Sequence, residues 1–159
     1  MRTRPDGFTL IELLVTILIA TLLLTLAVPS FLSSIHGQQT QSVAQNFIQD
    51  VAWVRGRAVS GAATATLSLA ANCTWSVDTG DAGTDPTHGL TLQQITKDAP
   101  TLSCVGIPAG GLALSFDSMG LVDPPTSSGV ITFTPGVGLP VSVEVFGSGM
   151  IVENPQHAS

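Results

Sequence analysis

The most constraining feature of the sequence is an apolar run near the N-terminus, LLVTILIATLLLTLAV, which extends from Leu13 to Val28. Its three polar residues are all threonines, whose hydroxyls can bond to backbone carbonyls of a helix. Counted from Phe8, the segment has 21 residues, close to the roughly 20 that a helix needs to cross a hydrocarbon core of about 30 Å. We therefore predict a membrane-spanning helix over residues 8–29.

The charges before this helix indicate its orientation. Arg2 and Arg4 precede the apolar run, and basic residues mark the cytoplasmic end of a membrane helix. We expect a single membrane pass with a cytoplasmic N-terminus and everything after Pro29 on the other side. A secretory signal peptide would have a shorter apolar core followed by a small-residue cleavage site, so the predicted processing point lies ahead of the run, at Gly7.

One carboxylate lies near the start of the apolar segment, at Glu12. A charged side chain within a membrane is costly and usually has a partner. One interpretation is that Glu12 is a first-turn residue stabilised by the amide dipoles of the helix N-terminus. The other is that it pairs with a cation of another chain, because its own segment has no basic residue between Arg4 and Arg55.

The stretch GFTLIELLV, which begins at Gly7, closely resembles the class III leader and helix start of type IV pilins and type II secretion pseudopilins. The resemblance implies that residues 1–7 are a leader, that a prepilin peptidase cleaves between Gly7 and Phe8, and that Phe8 is then N-methylated. It implies that Glu12 neutralises the Phe8 amine of a neighbouring subunit and that Pro29 bends the helix. It also implies an inner-membrane anchor, a periplasmic C-terminal domain, and assembly with other pilins or pseudopilins into a helical filament.

The helix is predicted to continue through residues 30–60 as an amphipathic stem. Apolar side chains recur at helical spacing along one face, namely Val43, Ala44, Phe47, Ile48, Val51, Val54 and Ala58. Ser60 and Gly61 form a stop signal, because glycine readily takes the left-handed conformation after the last turn. We expect the apolar face to bury against a globular domain.

Trp53 lies off that apolar face, in one row with Asp50 and Arg57. Two interpretations are open. A loop of the same chain folds over the indole, or the row contacts a neighbouring filament subunit, since aromatic and arginine side chains are favoured at interfaces. Asp50, Trp53 and Arg57 are therefore candidate subunit contacts.

Short apolar runs bounded by turn residues follow residue 61, a pattern typical of β-strands. We predict seven strands, at residues 64–69, 74–77, 90–95, 112–116, 129–133, 141–146 and 150–153. An antiparallel sheet packed on the stem would share one core with it. The predicted fold class is α+β, a long N-terminal helix packed on a β-rich periplasmic domain over residues 61–159.

A second resemblance lies in these strands and turns, through LSFDSMG from Leu114, VITF from Val130 and GSGMI from Gly147. These segments are similar to the C-terminal half of the GspH/FimT group of minor pseudopilins and minor pilins. The resemblance implies a structural subunit of the periplasmic pseudopilus in a type II secretion system. The alternative is a minor pilin of a type IV pilus.

The charge balance argues against nucleic acid as a partner. The chain has 5 Lys plus Arg and 11 Asp plus Glu. Loss of the leader would remove two arginines and one aspartate, which leaves three basic and ten acidic residues. Some relatives capture DNA through an arginine-rich C-terminal tail, whereas residues 153–159 contain neither Arg nor Lys. We expect no DNA binding, because phosphate recognition relies on these cations.

Two further groups of side chains invite a structural or metal-binding interpretation. In an oxidising periplasm we expect a disulfide between Cys73 and Cys104, contributing about 3 kcal/mol, with two separate buried thiols as the alternative. Asp78, Asp81 and Asp85 lie in a glycine-rich segment, which we interpret as a solvated acidic loop. Calcium binding is the alternative, although the spacing is not that of an EF-hand.

The sequence offers no catalytic motif. The three histidines lack metal-ligand spacing, no GxSxG elbow surrounds a serine, and no glycine-rich phosphate loop is present. We therefore predict a protein that is not an enzyme, with no cofactor and no metal site.

Overall fold

The computed structural model describes residues 8–61, 65–80, 83–124 and 129–155. In this part of the chain a 50-residue helix, α1 (Leu10–Val59), is followed by eight strands and one short helix. At 1.5 Å per residue, α1 is about 75 Å long. The predicted α+β architecture, a long N-terminal helix packed on antiparallel β-structure, is confirmed. The predicted leader, residues 1–7, lies outside the described residues.

Local chemistry sets both ends of α1. At its start the Thr9 hydroxyl accepts a hydrogen bond of 3.3 Å from the Glu12 amide, as an N-cap residue does. At its end Ser60 is the C-cap, and Gly61 has a φ of +74°, a conformation that glycine adopts at little cost. The predicted helix end is confirmed. Pro29 lies inside α1, where it has no backbone N–H to donate, and a bend there stays a prediction.

The two halves of α1 differ in burial. Its first half is exposed, and an 18-residue window of mean hydropathy 2.6 has none of its residues buried, so α1 is long and apolar enough to cross a membrane. The second half buries the predicted apolar face at Val43, Ala44, Phe47, Val51, Val54 and Ala58, with Ile48 partly buried. One helix thus serves both a membrane and a protein core.

The described residues of the β-rich part form two antiparallel sheets of four strands each, whereas the sequence suggested a single sheet. The first has the order β3–β2–β1–β5, formed by β1 (Thr66–Leu69), β2 (Trp75–Asp78), β3 (Thr84–Leu90) and β5 (Leu112–Ser115). The second has the order β4–β6–β7–β8, formed by β4 (Ser103–Val105), β6 (Gly129–Thr134), β7 (Val141–Val145) and β8 (Ile151–Pro155). Strands of both sheets contact α1.

Phe47 joins the two sheets into one core. Its ring is 5.3 Å from the Trp75 ring of the first sheet, nearly perpendicular to it, and 5.7 Å from the Phe133 ring of the second sheet. Aromatic pairs in such edge-on or tilted arrangements stabilise a core beyond their buried area. Helix and sheets therefore share the single core that the amphipathic stem predicts.

The predicted strand at residues 90–95 is wrong. β3 ends at Leu90, and α2 (Leu92–Asp98) follows it. The Thr91 hydroxyl accepts a hydrogen bond from the Gln94 amide while the Gln94 side chain accepts one from the Thr91 amide, a capping box that starts a helix. The sequence pattern also missed β3 and β4. β3 contains Pro86, which is tolerated because this strand is at the edge of its sheet.

Candidate functional site

The predicted processing and assembly residues lie at the start of α1. Gly7 is outside the described residues, and Phe8 precedes the helix with 86% of its surface exposed. Glu12 lies in the first turn with an exposed side chain. Among the described residues, no ion pair involves it. The carboxylate is therefore available to a cation outside the chain.

Three threonines interrupt the apolar surface of the first half of α1. The hydroxyls of Thr16, Thr21 and Thr25 each donate to the backbone carbonyl three residues earlier, at 2.7–2.9 Å. These bonds satisfy the hydroxyl donors within the helix. This half of α1 therefore remains suited to hydrocarbon, or to the apolar surface of other helices.

Asp50 connects α1 to the first sheet. Its Oδ2 atom accepts a hydrogen bond of 2.7 Å from the Trp75 indole N–H and one of 2.8 Å from the Gly89 amide. The donors belong to β2 and β3, so one carboxylate oxygen ties two strands to the helix. Sequence reasoning missed this intrachain role, because helical periodicity shows which residues share a row but not which distant donors meet them.

The strand β3 covers Trp53. The His88 ring stacks on the indole with centroids 4.1 Å apart and an interplanar angle of 24°. The guanidinium carbon of Arg57 is 5.7 Å from the indole centroid, within the range of a cation–π contact. Of the two interpretations for Trp53, the structure shows the first, in which part of the same chain covers the indole. Contact of the row Asp50, Trp53 and Arg57 with a neighbouring subunit stays a prediction.

Local hydrogen bonds orient His88 on Trp53. The hydroxyl and amide of Thr87 donate to Asp85 Oδ1 at 2.6 and 2.8 Å, and His88 Nδ1 is 3.3 Å from Asp85 Oδ2. The Thr87 bonds, and after them the contact with His88, hold the pKa of the Asp85 carboxyl below its ordinary value of 3.8. The ionised carboxylate thus favours this arrangement of β3.

The acidic residues between Asp78 and Asp85 form no metal site in the part of the chain that the structure describes. Asp78 Oδ1 accepts a hydrogen bond of 2.8 Å from the Gly80 amide, and Asp85 is bonded to Thr87 as above. Asp81 lies outside the described residues. Within the ranges that the structure describes, no three His, Cys, Asp or Glu side chains cluster as metal ligands would. The calcium alternative therefore gains no support from these residues.

Cys73 and Cys104 form a disulfide with Cα atoms 5.5 Å apart. Cys73 lies in the turn between β1 and β2, and Cys104 lies in β4. The bond therefore links the first sheet to the edge strand of the second. Of the two alternatives for these cysteines, the bridged form is present in the structure.

Two family models match the chain. Residues 2–28 match the prokaryotic N-terminal methylation motif, and residues 43–149 match the type II transport protein GspH. No curated protein and no solved structure matches the chain significantly. The methylation motif and the apolar half of α1 fit an inner-membrane-anchored pilin or pseudopilin, which assembles with other such subunits after processing by a prepilin peptidase. The chain belongs to the GspH family of type II transport proteins, which are structural pseudopilin subunits.

Proposed function

We propose that this protein is a minor pseudopilin of a type II secretion system and a structural subunit of its periplasmic pseudopilus. The observation that carries the proposal is the GspH match over residues 43–149, on a domain held by a helix whose first half is apolar and exposed. A minor pilin of a type IV pilus is the alternative, because it would share the leader and the stem.

The exposed half of α1 would supply the driving force for assembly. A helix that is apolar all round must be covered by lipid or by other helices. We infer that lipid covers it in the membrane and that neighbouring stems cover it in the filament. The N-terminus would be cytoplasmic and the β-rich domain periplasmic, in agreement with Arg2 and Arg4 before the helix and with the Cys73–Cys104 disulfide.

Glu12 would select the correct register between stems. After cleavage at Gly7, the Phe8 amine of an adjacent subunit is the cation that Glu12 lacks within its own segment. An ion pair in apolar surroundings is poorly screened, and removal of one partner from a buried pair costs about 3–5 kcal/mol. Misaligned stems would carry this penalty, and aligned stems would not.

Replacement of Glu12 by alanine tests this mechanism in cells. We expect Glu12→Ala to be processed normally, as the mass of the mature chain will show. We expect its incorporation into purified filaments to fall at least tenfold, which corresponds to about 1.4 kcal/mol. Thr16→Ala is the matched control, because it changes one exposed residue of the same helical half and leaves Glu12 in place. Normal incorporation of Glu12→Ala would contradict the pairing.

The partners that the full-length protein binds would distinguish a type II secretion system from a type IV pilus. Chemical cross-linking in membranes, followed by mass spectrometry, should recover other pseudopilins if the proposal is correct. Deletion of the gene should then abolish secretion of folded proteins while pili remain. Recovery of pilus subunits, with loss of pili and normal secretion, would favour the alternative.

A further inference from the structure

The loop that joins β6 to β7, residues 135–140, lies beside α1 shortly after the predicted membrane span. A Cβ atom built on Gly138 would be 3.3 Å from the Ser33 carbonyl oxygen and 3.6 Å from the Gly37 amide nitrogen. Gly138 also has a φ of +121°, which side chains disfavour. Glycine therefore allows the loop to lie close against the helix backbone at residues 33–37.

This end of the protein exposes four large apolar side chains. Val137 and Leu139 of the loop are 55% and 50% exposed, and Phe31 and Leu32 of α1 are 69% and 48% exposed. We call these four residues the proximal patch. On α1, the patch continues the apolar surface of the membrane helix without interruption by a charge.

Charged residues are absent from the two segments that carry the proximal patch. The sequence has no Asp, Glu, Lys or Arg from residue 13 to residue 49, nor from residue 124 to residue 143. Glu153 lines the groove between loop and helix. Glu153 pairs with Val143 of β7. Because Val143 is two residues further along β7 than Val141, where the loop ends, Glu153 lies roughly 7 Å further from the loop than Val141 does.

The helix geometry places Phe31 and Leu32 of the patch at the height of the lipid headgroups, and the loop at the outer edge of that layer. Phe31 and Leu32 follow Val28 by three and four residues, roughly 5–6 Å along the helix, and residues 33–37 are roughly 8–14 Å beyond Val28. Headgroups extend about 5–8 Å beyond the hydrocarbon on each side. A helix tilt toward the loop of about 20°, the average for membrane helices, would lower a loop that is about 10 Å to one side by roughly 3 Å. The loop would then lie about 5–11 Å beyond Val28 and overlap the headgroup layer.

We propose that the proximal patch docks on the surface of the lipid bilayer. The occupant is lipid because Phe31 and Leu32 continue the membrane-spanning surface, because a tilt toward the loop brings the loop to headgroup height, and because the four side chains carry no charge. The contact fixes how the β-rich domain is oriented over the membrane before the subunit enters a filament. It goes beyond the structural role proposed above and holds for either filament system.

The test uses the full-length protein in nanodiscs that contain a lipid with gadolinium bound to its headgroup. We expect the amide signals of Val137 and Leu139 to be lost through paramagnetic relaxation. Met119 and Met150 are 72% and 52% exposed and lie near the other end of the domain, since their glycine neighbours contact Arg55 of α1. Their amide signals should persist. Equal losses at both ends, or persistence at the loop, would overturn the proposal.

Paired substitutions separate docking from mere proximity. Val137→Asp with Leu139→Asp should restore the loop signals, read at the Gly138 amide, whereas Met119→Asp with Met150→Asp should leave the loss unchanged. An unchanged Trp75 indole signal shows that each variant is folded, and loss of the Leu22 amide signal shows that α1 is in the bilayer in every sample. The loop signals could instead change with the number of protein copies per nanodisc and not with the gadolinium lipid. That result would identify a second copy as the contact of the loop and would overturn the proposal.

Discussion

Replacement of Asp50 tests whether one carboxylate holds the first sheet on α1. Its Oδ2 atom is 2.7 Å from the Trp75 indole nitrogen and 2.8 Å from the Gly89 amide nitrogen. Asp50→Ala removes the acceptor of both donors, and Trp75 is only 4% exposed, so water has little access to its indole N–H. Asp50→Asn keeps a carbonyl oxygen that can accept both bonds but removes the negative charge.

The expected loss of stability follows from these contacts. A buried donor without an acceptor costs about 1–3 kcal/mol. Two donors are involved, and Gly89 is only partly buried, so Asp50→Ala should lower the free energy of unfolding by about 2–4 kcal/mol. Asp50→Asn should lower it by about 1 kcal/mol, because hydrogen bonds to charged acceptors are stronger than neutral ones by roughly that amount.

Urea denaturation of the full chain in detergent micelles, followed by tryptophan fluorescence, measures this free energy. Gln49→Ala is the matched control, because Gln49 is exposed at the adjacent position of α1, and it should change stability by less than about 0.5 kcal/mol. The reasoning is refuted if Asp50→Ala loses no more stability than Gln49→Ala. It is also refuted if Asp50→Asn is as destabilised as Asp50→Ala.

Two further predictions concern the disulfide and the acidic end of β3. Replacement of Cys73 and Cys104 by serine should lower the free energy of unfolding by about 3–4 kcal/mol, because a bond across 31 residues restricts the unfolded chain; an unchanged urea midpoint would contradict this. The pKa of Asp85 is lowered from 3.8 by Thr87 and then His88, so its stabilising contribution is present above that pH and is lost as the pH falls through the folded-state value. Asp85→Asn should therefore flatten the dependence of stability on acidic pH in urea titrations, and an equally steep dependence would count against the assignment.

The course of α1 was predictable because its signals are local. A continuous apolar run, helical spacing of the buried face and glycine after the last turn each act over a few residues. The structure has these features in the exposed first half of α1, at the buried Phe47 and Val51, and at Gly61. Tertiary packing did not have to override any of them.

The segment after β3 shows where local patterns conflict. Leu90, Thr91 and Leu92 alternate as a strand would, yet Thr91 and Gln94 also have the spacing of a capping box. The capping box prevails, because it satisfies amides at the start of α2. β3 itself was missed because proline and glycine disfavour strands, and its edge position is a property of the sheet rather than of the segment.

The sequence alone determined the membrane helix, the helix start with its lone carboxylate, the amphipathic stem and the β-rich character of the rest. It also determined that the chain has no charge from residue 13 to residue 49. Only the tertiary structure decided that two sheets form, that Asp50 meets donors 25 and 39 residues away, and that Gly138 brings an apolar loop against the stem. The reason is physical: backbone propensity and side-chain spacing constrain residues within a turn or two, whereas contacts between distant residues depend on how the whole chain packs.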